Sequence, residues 1–341
     1  MNAKDIKKHK TLIEAVRQFS DLDYSTMYFA AIRWPDGVCC PHCGSVNVDY
    51  LPHRRLWQCR EDHSRNQFSV KIGTVFEECR LPIDKCLIAI WLEVNAKNSI
   101  SSCEIARALG VTQKTGWFLL HRIRHALHVG SFDTKLQGVI EADETFVGGL
   151  AKNMHQKKRK EKIKGTGSST KTAVMGLLER HDGKKHSTVR AEVLPNVQRQ
   201  TLHAIIHKNV EPGSTVYTDA WKAYKQMDPM YVHDFVDHAE AYVKDKVIHT
   251  NGLENFWALF KRCIKGTHVS IEPFHLAAYV DSEAFRFNHR KVKDGDRFIL
   301  ALGGVSGKRL TYKTLVGDGA PQDRYLGRDN ASGADASSPI N

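Results

Sequence analysis

An acid on a strand in an otherwise apolar setting is costly unless something binds it. Residues 139–147 (VIEADETFV) alternate with the two-residue period of a strand, so Glu141, Asp143 and Thr145 share one face while Ile140 and Ala142 take the other. Residues 214–219 (STVYTD) form an apolar run ending on a second acid, Asp219, at the C-terminal edge of an expected strand. Glu254 follows in a segment with helical spacing, which sets Glu254, Trp257 or Ala258, and Lys261 along one stripe. One glutamate on a helix is most often a solvated face, but two strand aspartates and a helix glutamate form the oxygen set that two Mg²⁺ or Mn²⁺ ions take. Two such ions about 3.5–4 Å apart can activate a nucleophile and stabilise the leaving oxygen of an in-line phosphoryl displacement. Lys261 and Arg262 would then neutralise phosphate beside Glu254.

A second cluster has soft ligands. Cys40-Pro-His-Cys43-Gly-Ser is a C-x₂-C knuckle, and Cys59 and His63 follow downstream. Cys40, Cys43, Cys59 and His63 are the most economical set for one structural Zn²⁺, with Cys39 and His42 as rivals. Four of the eight cysteines fall between positions 39 and 59, which fits a local metal site better than a disulfide frame. Cys79, Cys86, Cys103 and Cys263 are expected to be buried small hydrophobes.

The elements that must hold these groups follow from periodicity. Residues 1–37 form a helical lead-in that ends at the Pro35-Asp36-Gly37 turn, and residues 38–78 carry the short β-like pieces of a zinc ribbon. Residues 79–131 are helical again, with Ser101 to Glu104 capping one helix, Gly110 breaking it and Thr112 opening the next. Two short helices around a tight turn suggest a helix-turn-helix, with Ile105, Leu109, Leu120 and Ile123 in its seam. Gln113, Lys114, Arg122 and Arg124 lie outside that seam, where they can meet DNA. Residues 137–292 alternate strands and helices as a mixed α/β domain. It carries a solvated basic insertion at 150–171 whose Lys157, Lys158, Arg159 and Lys160 suit phosphate. Residues 293–341 form an extension expected to be disordered after about position 317.

The 341 residues carry 50 Lys and Arg against 38 Asp and Glu, a net +12, which favours a polyanionic partner such as nucleic acid. The first ten residues lack the apolar stretch of a secretory signal, and the longest apolar run is too short to span a bilayer. A soluble, intracellular protein is expected.

These motifs, in this order, resemble the insertion-sequence DDE transposases that carry an N-terminal zinc ribbon, the ISXO type. The matching residues are Arg33 to Gly37 with Cys40 to Ser45, Gln67 to Val70 with Gly73-Thr74, Asp143-Glu-Thr with Gly148-Gly149, Glu179-Arg180, Tyr217-Thr-Asp219 with Tyr224, His249-Thr-Asn251 with Glu254 and Trp257, and Phe285-Arg-Phe-Asn288. They span roughly residues 10–292. The resemblance implies a ribonuclease-H-like fold, Asp143 and Asp219 as the first two metal ligands, and the inverted-repeat ends of a mobile element as substrate. Such an enzyme cuts DNA at those ends and joins the 3′ hydroxyl to target DNA, as a homo-oligomer on paired ends. Two features depart from the family pattern. Its second zinc pair usually reads C-x₂-C, whereas Cys59 is followed by Glu61, Asp62 and His63. Some branches use Asn as third catalytic residue, and Asn251 and Glu254 are both present, Asn251 reading equally as a helix cap. A structure-specific nuclease and a catalytically silent DNA-binding regulator are the rival functions.

Overall fold

A computed structural model describes residues 6–128, 134–148, 171–181, 186–219, 224, 228–236 and 249–317. The expected basic insertion, Lys171 excepted, and the tail after residue 317 lie outside the described residues.

The chain opens with α1 (Leu12–Phe19) and α2 (Leu22–Arg33), whose first-turn N–H groups are met by the side chains of Thr11 and Asp21. A three-stranded antiparallel sheet follows, made of β1 (Val48–Leu51), β2 (Leu56–Cys59) and β3 (Gln67–Phe68). Three helices come next: α3 (Ile83–Asn95), α4 (Ser102–Leu109) and α5 (Gln113–Leu127). The expected punctuation is present. Ser101 and Glu104 form a reciprocal capping box, Gly110 turns left-handed at φ +62° to end α4, and the Thr112 side chain caps α5.

The second half holds β4 (Val139–Val147), β5 (Thr172–Glu179), β6 (Thr188–Leu194), α6 (Arg199–Asn209), β7 (Thr215–Asp219), β8 (Val232–Val236) and α7 (Asn251–Cys263). After these come α8 (Leu276–Asn288), α9 (Asp294–Gly303) and α10 (Tyr312–Val316). Its sheet runs β6-β5-β4-β7-β8, with β4, β5 and β6 antiparallel and β4, β7 and β8 parallel. One face, including Ile140, Ala142, Met175 and Leu177, buries Leu202 and Ile206 of α6. The other, including Val174, Leu178 and Val189, buries Leu253, Phe256, Trp257 and Phe260 of α7 and Val280 of α8. A mixed sheet flanked by helices is thus the architecture.

The lead-in, ribbon and helical hairpin, expected as separate units, share one core. Phe19, Tyr28, Trp57, Phe76, Leu87, Ile90, Leu120 and Ile123 belong to a single buried cluster. Residues beyond 292 also join it, because Phe298, Ala301, Leu302 and Val305 pack into the same cluster. None of these segments alone has enough apolar surface for a core, so they pool what they have.

Helix α8 fastens this core to the sheet, and the Phe285-Arg-Phe-Asn288 motif divides the work. Phe285 enters the N-terminal core and Phe287 the α7 core. Arg286 Nη2 donates to Glu283 at 2.6 Å and lies 3.6 Å from the buried Glu93 carboxylate of α3 through Nη1. Asn288 accepts from Val189 N–H at 2.7 Å and donates to Val189 C=O at 2.9 Å, occupying the open edge of β6 as a partner strand would. Arg124 of α5 completes the junction at 3.0 Å from Glu93.

Candidate functional site

Parallel pairing of β4 with β7 aligns Val139 with Thr215, Ile140 with Val216 and Glu141 with Tyr217. The same register carried two residues further sets Asp143 beside Asp219 on the same face, at the C-terminal end of the parallel pair. Ligand sites of open α/β sheets favour this edge.

Helix α7 lies across that face. Its N-cap, Thr250, makes no side-chain cap bond, and the capping role falls to Glu141 of β4. The Glu141 carboxylate, 1% exposed, accepts from Leu253 N–H at 2.9 Å and from Arg180 Nε at 2.7 Å. Arg180 Nη2 donates to the His249 carbonyl at 2.6 Å and lies 2.7 Å from His249 Nδ1, tying down the approach to α7. The charge is therefore buried with an opposite charge and a helix N-terminus. Gly252 makes the approach possible, since a Cβ there would fall 2.8 Å from a Glu141 oxygen and 3.1 Å from Leu178. The strand reading flagged Glu141 as an acid needing a partner. It assigned no role to Arg180 or His249, whose partner is remote in sequence.

One turn further on, Trp257 Nε1 donates to Asp143 Oδ2 at 3.0 Å. Its ring crosses β5 at Gly176, the residue paired with Asp143, where a Cβ would stand 2.6 Å from the indole. Glu254, Ala258 and Lys261 form the exposed stripe, whereas Trp257 is buried. Burial, with the charges of Asp219 and Glu254, raises the Asp143 carboxyl to about 6 against the donated bond from Trp257. Glu144, on the opposite side of β4, bonds the buried Tyr224 hydroxyl and is raised to about 9 by burial and by the charges of Asp143 and Asp219. Asp143, with the negative charges of Asp219 and Glu254 acting on it, offers carboxylate oxygens of the kind a divalent ion takes, so the residues present fit such ions by donor chemistry.

Asn251 is the first residue of α7 rather than its cap, and its N–H faces His249 Nδ1 at 3.3 Å. Lys261 and Arg262 are exposed on α7. Gln113 and Lys114 are exposed at the start of α5, with Gln113 donating to Ser102 at 2.8 Å and Lys114 resting over the Tyr312 ring. Arg122 is a correction. It is 5% exposed, and its guanidinium donates to the Leu310 and Glu77 carbonyls, so it joins the returning C-terminal segment to the ribbon side. Arg124 is likewise buried. Both were expected on the outer face, but the C-terminal segment and α8 cover that side of α5. Lys157, Lys158, Arg159 and Lys160 lie outside the described residues.

In the ribbon, the donor atoms of Cys40, Cys43, Cys59 and His63 lie within 4.8 Å of one another. Cys40 Sγ to His63 Nε2 is 3.5 Å and Cys43 Sγ to Cys59 Sγ is 3.6 Å. A zinc tetrahedron with ordinary Zn–S and Zn–N bonds has edges of about 3.5–3.8 Å, so the set fits one Zn²⁺ without an open position. Cys39 and His42 stand outside the set. Of the cysteines expected to be buried, Cys86 and Cys263 are, Cys79 is partly so, and Cys103 is exposed on α4.

Residues 135–288 match the ISXO2-like transposase domain, and residues 25–62 match the transposase zinc-ribbon domain. The chain is similar to a protein in the transposable element ISH50 of Halobacterium salinarum, 25% identical over 264 residues that make up 74% of this chain and 85% of that protein. It is also similar to a transposase-like protein of Haemophilus influenzae, 33% identical over 102 residues, 30% of this chain and 81% of that protein. The ribbon match ends one residue before His63. The family's usual second cysteine would stand at Asp62, and the longer spacing to His63 still brings its Nε2 to Cys40.

Proposed function

The chain belongs to the ISXO2-like transposase family, and on that premise we propose that it binds the terminal inverted repeats of a mobile element, cleaves DNA there and joins the freed 3′ hydroxyl to target DNA. The reading is supported by the β4–β7 register, which carried two residues further pairs Asp143 with Asp219, and by the negative charges of Asp219 and Glu254 acting on Asp143. The sheet order, with two antiparallel strands on one side of β4 and two parallel strands on the other, supports the ribonuclease-H-like fold that the resemblance implies.

Asp143, Asp219 and Glu254 would hold two Mg²⁺ or Mn²⁺ ions. Bound there, such ions lower the pKa of the attacking hydroxyl and stabilise charge on the phosphate oxygens. The chain's own residues supply orientation. Glu141 and Arg180 hold the start of α7, so Glu254 stands opposite the strand acids, and Lys261 and Arg262 neutralise phosphate along the exposed side of the same helix. Cleavage is attack by water at phosphorus with departure of a 3′ oxygen, and joining is attack by that 3′ hydroxyl on a target phosphodiester with departure of the target strand's own 3′ oxygen, so one site serves both. Gln113 and Lys114, exposed where α5 begins, suit the base-contacting end of a helix-turn-helix, and the zinc-held ribbon braces it. Lys157 to Lys160 suit sequence-independent contact with phosphate, and two copies of the chain would bring paired ends together.

Glu254 is favoured over Asn251 as third ligand because its charge acts on Asp143 and because a carboxylate offers a dication two charged oxygens where an amide offers one neutral oxygen. The test is cleavage and joining of a labelled terminal repeat with Mg²⁺. Asp143→Asn, Asp219→Asn and Glu254→Gln should each lose nearly all product while retaining end binding, and Asn251→Ser should keep most of it. Normal cleavage by either aspartate variant would overturn the reading, and an inactive Asn251→Ser beside an active Glu254→Gln would transfer the third role. Cleavage without joining by the unaltered protein would mark a nuclease.

A further inference from the structure

We infer that Trp257 is a positioning residue for the acid site, its indole N–H holding Asp143 in the orientation in which that carboxylate receives a divalent cation. The inference rests on the reading of Asp143 as a metal ligand. The Nε1–H donates to Oδ2 at 3.0 Å. This takes up one acceptor direction of Oδ2, the Glu144 backbone N–H takes another direction of the carboxylate, and the remaining ones are left for other partners. The last torsion of a carboxylate is broad, and one backbone bond from the adjacent residue leaves part of that freedom. A donated bond from a side chain locked in a core removes that freedom before the ion arrives.

Packing alone gives no reason for the nitrogen. Trp257 is 4% exposed and lies among Leu253, Phe256 and Phe260, where a phenyl ring would satisfy the hydrophobic requirement. A buried indole N–H needs an acceptor, and here that acceptor is the first acid. The slot is also specific. Gly176 stands opposite Asp143 in the β4–β5 ladder, and any side chain there would meet the indole within 2.6 Å. Trp257 stands one helical turn after Glu254, so the helix that delivers the third acid also orients the first. A shift of α7 therefore disturbs both ligands together.

The experiment measures Mn²⁺ binding by electron paramagnetic resonance of free Mn²⁺ in the zinc-loaded full chain. Unaltered protein, Trp257→Phe and Asp143→Asn are compared, with the half-saturating Mg²⁺ concentration for cleavage as a second readout. A replacement of the Trp257 indole N–H by sulfur, which keeps the ring's shape, decides the matter if Trp257→Phe does not fold. Loss of such an outer hydrogen bond typically weakens metal binding about 10–100-fold. Trp257→Phe and the sulfur analogue should show that loss, with the Mg²⁺ requirement rising more than the saturated rate falls. Wild-type Mn²⁺ affinity in both, while Asp143→Asn loses it, would overturn the inference and leave the acid site standing. Wild-type affinity in Asp143→Asn as well would overturn the reading of the acid site, and this inference with it.

Discussion

Replacing Glu141 by Gln exchanges one carboxylate oxygen for an NH₂ group with almost no change in volume, yet it should loosen the start of α7. Glu141 Oε1 accepts from Arg180 Nε at 2.7 Å while Oε2 accepts from Leu253 N–H at 2.9 Å, both inside the protein. A glutamine amide has one oxygen and one NH₂, so either orientation turns a donor toward one of these two donors. One buried N–H is then unsatisfied, costing about 1–3 kcal/mol. The helix N-terminus also loses the facing negative charge, worth about 0.3–1 kcal/mol in ordinary settings. A total of about 1–4 kcal/mol is expected from these terms. Urea unfolding of Glu141→Gln and unaltered protein, compared by midpoint at equal slope, measures it, and terminal-repeat cleavage reports the displacement of Glu254. Glu141→Gln should be less stable by that amount and slower at cleavage. Unchanged midpoint and rate would refute the capping role and the claim that the strand acid sets the position of α7.

Three further outcomes follow from the same structure. Glu93→Ala should cost about 3–5 kcal/mol in urea unfolding, because Arg124 and Arg286 lose the buried carboxylate that Ser99 and Ser282 also contact. Adding Arg124→Met should recover part of that loss, and no recovery would count against charge burial as the cause. Cys43→Ser or His63→Ala should abolish the single bound zinc seen by elemental analysis, and zinc retained at full occupancy would exclude that residue as a ligand. The Asp143 carboxyl is raised to about 6 and that of Glu144 to about 9, so without divalent ions these two groups keep protons in the folded chain that they lose in the unfolded one above about pH 4. His121, His125, His268 and His275, lowered by burial, act in the opposite sense below about pH 6.5. The contribution of the two acids to metal-free stability should fall as pH rises through their raised values, and Mg²⁺ should raise the melting temperature more at about pH 7.5 than at about pH 5. Equal stabilisation at both, or the same difference in Asp143→Asn, would contradict this.

The amino-acid order by itself determined much of the local structure. Ser101 and Glu104, Gly110 and Thr112 give the ends of α4 and α5 because caps are made by neighbours within four positions. The alternation of residues 139–147 gives the face on which Glu141 and Asp143 lie, and the Cys40 to Cys43 spacing gives half of a zinc site. His63 was among the candidates, but its fitness as fourth ligand depends on the folded path from Cys59, which brings Nε2 to Cys40 Sγ. Tertiary structure also decided which cations face water. Arg122 has the helical position of a surface residue and is buried only because a segment nearly two hundred positions later returns over α5. Partners for Glu141 and Asp143, and the need for glycine at 176 and 252, arise where α7 crosses the sheet. Periodicity reports which side of an element is apolar, whereas these contacts depend on which element covers that side, and that is settled only when the chain closes on itself.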